Sequence, residues 1–380
     1  MKKKVLFVAT THMHISVFHI PYIKWLKEQG CEVHSAANNL ISIPELDKQY
    51  TIAIQRTPFS KDNFKAYNEL REIILKENYD IVHCHTAMGA VIARLASREF
   101  RKKGLKVLYT AHGFHFFKGS PCRYWLMYYP VEKYLSKYTD AIITINQEDY
   151  DLVKTHNFRN QFTYKIPGIG INTSRLMKTN DDIRCRLRKE YGYKMSDFIL
   201  IYIAEYIERK NHKFIIDATV ELSKKVPNIK ILFAGRGRLF EEMKSYSSNR
   251  GTDSYIDFLG FRKDIGQLIA LSDVGISASK QEGLGLNLAE EMFCGLPVVA
   301  TSDRGHKELI VSGLNGFIFP QNDKGKFIEY IYQLSQNEGK RTAMGFESQK
   351  IANQFTLDKS LAAMADIYVK FLNQKEDEDI

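Results

Sequence analysis

Several features are scarce in this 380-residue chain, and each shortage excludes a class of protein. The five cysteines are odd in number and form no Cys-x-x-Cys pair, which excludes a disulfide-rich secreted domain and favours a reducing compartment. No run of the chain approaches the ~18 apolar residues of a membrane span. The apolar run after the N-terminal lysines stops after about six residues, short of a secretory signal. We therefore expect a cytoplasmic protein that does not cross the bilayer.

The chain is basic, with a formal net charge of +10. Simple solubility explains such a charge, and so does an anionic partner such as nucleic acid, lipid headgroups or a phosphorylated substrate. Lysine and arginine are spread along the chain and no nucleic-acid motif is present, so we expect no nucleic-acid partner.

Residues 114–134 interleave aromatic side chains with lysine and arginine. This composition is typical of a segment that lies on an anionic membrane surface, with rings at headgroup depth and cations against the lipid phosphates. A helix packed in the domain core is the alternative. The segment therefore predicts peripheral contact with a membrane, with core packing left open.

Short apolar runs alternate with helical patterns along most of the chain, which predicts α/β domains with doubly wound parallel sheets. The first series comprises strands at 5–9, 32–37, 81–84, 107–110 and 141–145, with helices at 17–29, 64–77 and 91–102. The second series comprises strands at 198–204, 229–234, 257–260, 274–278, 298–301 and 316–319.

Between the two series, residues 165–172 carry one proline and two glycines, which indicates a domain boundary. We expect domains at 1–170 and 171–356, with a last helix at about 357–375 followed by an acidic tail. Ligands of such sheets bind at the carboxyl ends of the strands, so the active site is expected in the cleft between the domains.

The segment after strand 274–278 is the most informative part of the chain. Glu282 and Glu290 are separated by seven residues, with Gly283 and Gly285 between them and an apolar helical run after them. Glycines allow close approach of a ligand to the backbone, and the first turn of a helix directs N–H groups at an anion. A carboxylate deeper in the helix can accept two hydrogen bonds from a vicinal diol such as ribose. The pattern predicts a nucleotide-diphosphate pocket.

This segment, with Cys294-Gly-Leu-Pro-Val-Val-Ala300 and Gly313-Leu-Asn-Gly-Phe317 after it, resembles the E-x7-E region of the family-4 retaining glycosyltransferases. Asp80-Ile-Val-His-Cys-His85 and Thr110-Ala-His-Gly-Phe-His115 resemble the bacterial capsule and exopolysaccharide members, so the resemblance covers nearly the whole chain. It implies the GT-B fold of two Rossmann-like domains.

The resemblance also implies a reaction. It is the transfer of a hexosyl or N-acetylhexosaminyl group, with retention, from a nucleotide-diphosphate donor that is expected to be a UDP-sugar. The acceptor is expected to be a lipid-linked or other saccharide in surface polysaccharide synthesis, and no cofactor is implied. A non-hydrolysing nucleotide-sugar epimerase of the same fold and a non-catalytic basic binding protein are the alternatives.

Particular residues take roles from the same resemblance. The catalytic candidates are His112 and Glu282. His14 and His19, in the loop expected after the first strand, are assigned to the acceptor side. The donor-binding candidates are Arg209, Lys210, Gly235, Gly237, Arg262, Gly283, Leu284, Gly285, Leu286 and Glu290.

Two departures and one alternative accompany these assignments. Relatives commonly carry Arg-x4-Lys where this chain has Glu205 and Lys210, so Glu205 is expected to turn away or to pair with Arg209. The His-x-His and His-x-x-His pairs invite a metal site, but none is accompanied by a Cys-x-x-Cys or Glu-x-x-His motif. We therefore expect no metal.

Overall fold

The computed structural model describes residues 2–373, and these form two units with one parallel sheet each. Unit 1 contains residues 2–169 and 358–373, and unit 2 contains residues 170–357. Helices connect nearly all successive strands of both sheets, the connection between the second and third strands of unit 1 being the exception, so the predicted class of two doubly wound Rossmann-like domains is confirmed.

Unit 1 has a seven-stranded sheet in the order β3-β2-β1-β4-β5-β6-β7. All neighbouring strands are parallel, so their carboxyl ends share one edge. The strands are β1 Lys4–Thr11, β2 Glu32–Asn38, β3 Lys48–Thr51, β4 Ile81–His85, β5 Lys106–Ala111, β6 Ala141–Thr144 and β7 Phe162–Lys165. The helices are α1 His12–Phe18, α2 Ile20–Glu28, α3 Asp62–Glu77, α4 Ala87–Ser97, α5 Cys122–Leu135 and α6 Gln147–Thr155, with 3-10 turns at Phe100–Lys103 and Ser136–Tyr138.

The first connection differs from the prediction. Residues 12–18, expected as a loop that carries His14, form helix α1 directly after β1. The Thr11 side chain accepts a hydrogen bond from the His14 N–H and caps this helix. The helix predicted at 17–29 is interrupted at His19 because Pro21, in the first turn of α2, lacks the N–H that would continue α1.

Unit 2 has a six-stranded parallel sheet in the order β10-β9-β8-β11-β12-β13, and each strand overlaps a predicted one. The strands are β8 Phe198–Ile203, β9 Ile229–Ala234, β10 Ile256–Gly260, β11 Val274–Ser277, β12 Val298–Thr301 and β13 Gly316–Phe319. The helices are α7 Asp181–Tyr191, α8 His212–Lys225, α9 Phe240–Asn249, α10 Ile265–Leu271, α11 Leu286–Phe293, α12 Arg304–Leu309, α13 Lys324–Gln336 and α14 Glu338–Ala352, with 3-10 turns at Thr173–Arg175, Glu208–Lys210 and Asn353–Phe355.

The last helix, α15 Leu357–Asn373, packs on the sheet of unit 1. The Tyr368 hydroxyl lies 2.6 Å from His83 Nδ1, and the Phe371 ring contacts Phe162. The end predicted at about 375 and the acidic tail lie outside the described residues. Within residues 2–373 no helix combines the length and apolar character needed to cross a bilayer.

Candidate active site

The carboxyl edge of the unit 2 sheet has its switch point between β8 and β11. These strands are neighbours in the sheet although two other strands, β9 and β10, lie between them in the sequence. The loops after these two strands therefore emerge side by side, at the place where ligands of doubly wound sheets bind. Residues 204–211 follow β8 and carry Arg209 and Lys210. Residues 278–285 follow β11 and carry Glu282.

A compact charge cluster joins these two loops. Lys210 Nζ lies 2.5 Å from one carboxylate oxygen of Glu282, and an Arg209 guanidinium nitrogen lies 3.2 Å from the other. Burial, which leaves Glu282 only 8% exposed, would raise the pKa of this carboxyl. The two cations overcome that effect and hold the pKa at about 2. Glu282 is therefore ionised throughout the neutral range, and both cations are held at the switch point.

The loop after β12 fixes the position of Glu282. Asp303 caps α12, and its Oδ1 accepts hydrogen bonds from the Gly305 N–H at 2.8 Å and from the Glu282 N–H at 3.0 Å. A Cβ on Gly305 would lie 2.7 Å from the Leu284 nitrogen and 2.9 Å from the Glu282 carbonyl oxygen. The loop that carries Glu282 thus rests on the first turn of α12, and only glycine permits this approach.

Gly283, Leu284, Gly285 and Leu286 form the turn into α11. Gly285 precedes the helix with a φ of 92°, the left-handed region in which glycine is unstrained. The Leu284 side chain is buried, so this residue can offer a ligand only its backbone. His306 lies beneath Gly285, with its Nδ1 2.8 Å from the Thr301 carbonyl oxygen. The turn presents backbone, and not side chains, at the start of α11.

Glu290, one helical turn into α11, pairs with Arg175 from the 3-10 turn Thr173–Arg175. Burial raises the pKa of Glu290, and Arg175 opposes that rise. Sequence reasoning missed Arg175, which lies 115 positions from Glu290 in no recognisable motif. Sequence reasoning also missed Glu291, whose fully buried side chain packs against Gly275 of β11 and whose pKa is raised by burial and by Glu290.

Gly235 and Gly237, after β9, have a structural reason to be glycine. A Cβ on Gly235 would lie 1.9 Å from the Ala204 carbonyl oxygen, and one on Gly237 would lie 2.6 Å from the Tyr206 nitrogen. These glycines let the loop after β9 pack on the loop that carries Arg209 and Lys210. They position the site whether or not they touch a ligand.

Arg262 contacts Asp264, its Nε lying 2.8 Å from Oδ1. This bond, with one from the Tyr191 hydroxyl at 2.6 Å, holds the pKa of Asp264 at about 2. Asp264 occupies the N-cap position of α10 but makes no side-chain cap bond, because its carboxylate is engaged by Arg262 and Tyr191.

Glu205 is exposed, and Arg209 directs its guanidinium to Glu282 and to the Gln281 carbonyl oxygen. Of the two expectations for Glu205, the turn towards solvent agrees with the structure and the pair with Arg209 does not. Arg209 is instead held by Glu282 and by the Gln281 carbonyl oxygen.

The carboxyl edge of the unit 1 sheet gathers the other predicted residues. His14 lies on α1, His19 lies between α1 and α2, and His112 follows β5. One nitrogen from each of these rings and one from His85, the last residue of β4, lie within 4.8 Å of one another. The structure therefore brings together the acceptor-side histidines and the catalytic candidate His112, and it adds His85.

Comparison with known proteins agrees with this geometry. The family model "Glycosyl transferases group 1" matches residues 184–351, and "Glycosyl transferase 4-like" matches residues 4–146. EpsD of Bacillus subtilis (strain 168), provisionally named a glycosyltransferase, is 44% identical over 373 residues, which are 98% of each chain. An Escherichia coli UDP-Gal:alpha-D-GlcNAc-diphosphoundecaprenol alpha-1,3-galactosyltransferase is 24% identical over 82% of this chain and 81% of its own.

Solved structures agree in fold. Anabaena Alr3699/HepE, crystallised with UDP and glucose, has a TM-score of 0.78 at 20% identity and covers 97% of this chain and 100% of its own. Sucrose-phosphate synthase from Thermosynechococcus elongatus has a TM-score of 0.79 at 15% identity, covering 98% and 100%. The family models on both halves and the relative that aligns along nearly the whole sequence show that this chain belongs to the group 1 glycosyltransferases, with an N-terminal half of the glycosyl transferase 4-like kind.

Proposed function

We propose that this glycosyltransferase moves a sugar, with retention, from a UDP-sugar to a lipid-linked or other saccharide acceptor in surface polysaccharide synthesis. The observation that carries the proposal is the pairing of Glu282 with Lys210 and Arg209 at the switch point of unit 2. A buried carboxylate and two fixed cations beside the start of a helix can bind both the hydroxyl groups and the diphosphate of one donor.

The diphosphate is assigned to Lys210, Arg209 and the turn into α11. The cations are prepositioned, because their contacts with Glu282 hold them in place before any ligand arrives. Charge that grows on the departing phosphate is then stabilised without reorganisation, which is the largest electrostatic contribution in many transfer reactions. The E. coli relative acts on UDP-Gal, and HepE was crystallised with UDP, which supports uridine as the base.

The ribose is assigned to Glu290. Arg175 engages Oε1 of this carboxylate, and the second oxygen remains for the hydroxyl groups of a diol. Arg175 also counters the rise in pKa that burial causes, so it favours the ionised, acceptor-only form of Glu290. Arg175 is thus proposed as a positioning residue for the donor.

Retention is proposed through attack on the face from which the phosphate leaves. The bond between the anomeric carbon and the phosphate oxygen breaks, the acceptor oxygen bonds to the same carbon, and the acceptor proton passes to the departing phosphate. Glu282 is assigned to the sugar hydroxyls and to the positive character of the loosening centre. His112 is assigned to the position of the sugar, as the family resemblance implies.

Contact with an anionic membrane is proposed through α5. One side of this helix packs on the core, as the alternative for the segment expects: Trp125, Tyr128 and Tyr129 lie against the cluster that contains the buried Phe114 and Phe116. The other side exposes Leu126 at 80%, Tyr134 at 54%, Met127 at 45% and Val131 at 42%, and Arg123 is exposed on the same helix. Rings, aliphatic side chains and cations on one exposed helix suit the headgroup region and would place the enzyme near a lipid-linked acceptor.

Calorimetric titration with UDP, UDP-sugars and other nucleotide sugars tests the donor site. We expect Lys210→Ala and Glu290→Ala to weaken UDP binding by roughly 10-fold or more, since each removes a charge-assisted contact. Lys324→Ala and Glu221→Ala are matched controls, because these two residues form an ion pair elsewhere in unit 2. Unchanged UDP binding in both site variants would show that the pocket is elsewhere.

Incubation with a UDP-sugar alone separates transfer from the epimerase alternative, because an epimerase forms an isomer without an acceptor. The membrane surface is tested by sedimentation with anionic and neutral vesicles. We expect Leu126→Asp to reduce binding to anionic vesicles, whereas Phe346→Asp, at an exposed position in unit 2, should have no effect. Equal sedimentation with and without anionic lipid would contradict the membrane contact.

A further inference from the structure

Four histidines converge at the carboxyl edge of the unit 1 sheet. His14, His19, His85 and His112 each contribute one ring nitrogen to a group in which all four atoms lie within 4.8 Å of one another. His19 Nε2 is 3.3 Å from His14 Nε2, and His112 Nε2 is 3.4 Å from His85 Nδ1. The four residues come from three separate connections of the sheet, so the group is a product of the fold and not of one local motif.

These separations match a coordination polyhedron better than hydrogen bonds. Zinc bonds to histidine nitrogen at about 2.0–2.1 Å, so the ligand nitrogens of a tetrahedral site are about 3.3–3.4 Å apart. Ordinary hydrogen bonds from nitrogen are shorter, at about 2.7–3.2 Å between heavy atoms. Two edges of the tetrahedron thus have their full length in the structure, and the remaining pairs of ligand atoms lie within 4.8 Å of one another.

Two other buried histidines of unit 1 are bonded through both ring nitrogens. His83 contacts the Tyr368 hydroxyl at 2.6 Å and Thr110 Oγ1 at 2.8 Å. His34 contacts the Tyr79 hydroxyl and Glu32, both at 2.8 Å. By contrast, His85 Nε2 and His12 Nδ1 are buried and have no hydrogen-bond partner among the described residues, and His85 is the one of these two that belongs to the four-histidine group. His85 therefore has a ring nitrogen for which the protein supplies no hydrogen-bond partner.

A second group of potential ligands differs from the four histidines because its charges are balanced by neighbouring lysines. Glu32, His34 and Glu77 also bring ligand atoms within 4.8 Å of one another. There, however, Lys4 and Lys48 lie 3.1 and 3.0 Å from Glu77 and provide the positive charge that a metal would bring. The four-histidine group has no carboxylate and no such resident charge partner.

The burial of the four rings also suits a metal that is held by the protein. His14 and His112 are only partly buried and provide a path from solvent, whereas His19 and His85 are buried.

We propose that His14, His19, His85 and His112 form a site for one divalent transition metal in tetrahedral nitrogen coordination, with Zn²⁺ as the ion that this geometry favours. Imidazole ligands suit zinc, nickel and copper, and the tetrahedral arrangement favours zinc over the square-planar preference of Cu²⁺ and Ni²⁺. This site departs from the absence of metal expected from the sequence. With all four protein ligands engaged, the site is closed, so the metal would hold the histidines and would not activate water.

A consequence follows for catalysis, and it rests on the proposed function of His112. A metal bound to His112 removes this ring from the sugar, so occupancy of the site should inhibit transfer. Donor binding uses Lys210, Arg209 and Glu290 in unit 2, and it should be unaffected by the metal. The site would therefore act as an inhibitory metal switch on one step of the reaction.

Metal binding is tested on the full chain after treatment with chelator, by calorimetry with Zn²⁺ and by the visible absorption of tetrahedral Co²⁺. We expect one ion per chain, and a loss of affinity of roughly 100-fold or more in His19→Ala and in His14→Ala, since removal of a ligand should exceed the effect of removing its outer partners. His115→Ala is the matched control, because His115 is exposed and stacks on Tyr128 outside the group. Absence of stoichiometric binding, or equal binding by all variants, would overturn the site.

Inhibition of transfer by the metal is measured separately from metal binding. Transfer activity should fall as Zn²⁺ occupies the wild-type protein and return with chelator, while calorimetric UDP binding stays constant. His85→Ala keeps His14, His19 and His112 and should retain activity at a Zn²⁺ concentration that inhibits wild type. If Zn²⁺ binds at one site but transfer is unchanged, the metal site stands and the proposed catalytic role of His112 fails.

Discussion

The carboxyl edge of the unit 2 sheet is charged, whereas the corresponding edge of unit 1 is built from neutral rings. In unit 2, Glu282 is ionised because Lys210 and Arg209 compensate the cost of its burial. In unit 1, four histidines stay neutral because burial disfavours their charged form and no carboxylate joins the group. A buried side chain stays ionised only if an opposite charge lies beside it, whereas a buried histidine stays neutral through exclusion from water alone.

This difference should give the two units unequal responses to acid. Unit 1 contains seven histidines whose pKa lies below the usual value of 6.5, and unit 2 contains two. Unit 2 instead contains carboxyl groups with a raised pKa, above all Glu291 and also Glu290 and Asp303. As the pH falls, a histidine with a lowered pKa makes the folded state less stable, whereas a carboxyl with a raised pKa makes it more stable.

The largest expected effect is a selective loss of unit 1 stability in acid. Below about pH 6.5 the unfolded chain binds protons that the folded histidines do not, so the free energy of unfolding falls by up to about 1.4 kcal/mol per pH unit for each such histidine. For Glu291 the folded state keeps a proton that the unfolded chain releases above about pH 4.5, so acidification increases the contribution of this carboxyl to stability and opposes the effect of the two histidines of unit 2. Hydrogen exchange of metal-free protein at about pH 7.5 and about pH 5.5, corrected for the intrinsic exchange rate at each pH, should show a larger increase in opening in unit 1 than in unit 2.

Two measurements test this difference between the units in their response to acid. Unchanged exchange in unit 1 would show that its histidines titrate normally, and equal acceleration in both units would show that the carboxyl groups of unit 2 do not offset its histidines. A Glu291→Gln variant that loses the pH response of unit 2 identifies the carboxyl responsible, whereas an unchanged response would contradict the assignment to Glu291.

The second largest effect is expected from removing the charge of Glu282, which should change the rate of transfer without weakening the binding of UDP. Glu282→Gln keeps the shape of the side chain but removes its negative charge, so Lys210 and Arg209 remain free to attract phosphate. We expect transfer to fall by roughly 10²–10³-fold while UDP affinity is unchanged or tighter. Steady-state rates and calorimetry on the same preparations measure both quantities, and Glu221→Gln, the partner of Lys324, is the control. A parallel loss of UDP binding would indicate that Glu282 only shapes the pocket.

The fold was predictable wherever buried strands appear in the sequence as runs of apolar residues. The central strands of both sheets are continuous apolar runs, as parallel strands covered on both faces must be. The two strands that were missed, β3 Lys48–Thr51 and β7 Phe162–Lys165, are the edges of the unit 1 sheet. Their residues are half-buried or exposed and carry lysine, threonine and tyrosine, so their composition resembles a loop.

The site was predictable where its residues are neighbours in sequence. Glu282, Gly283, Gly285 and Glu290 lie in one turn and helix, so their spacing alone indicates shared geometry. Arg175 pairs with Glu290 across 115 positions, and the approach of His85 to His14 depends on β4 lying beside β1. Such contacts depend on strand order and on the path of connections, which local periodicity does not specify.

The smallest expected effect concerns the support beneath the charged site. In Gly305→Ala the new Cβ would lie 2.7 Å from the Leu284 nitrogen, so the loop that carries Glu282 must move. We expect a loss of about 1–3 kcal/mol in the stability of unit 2, as for other overpacked sites, with a several-fold weaker affinity for UDP. Gly325→Ala is the control, because its nearest heavy atom is Asp323 Oδ1 at 3.5 Å and alanine favours the helix. Chemical denaturation and UDP titration should therefore distinguish the two substitutions. Equal behaviour would mean that α12 does not support the loop, and the charged edge would then depend on the ion pairs of Glu282 alone.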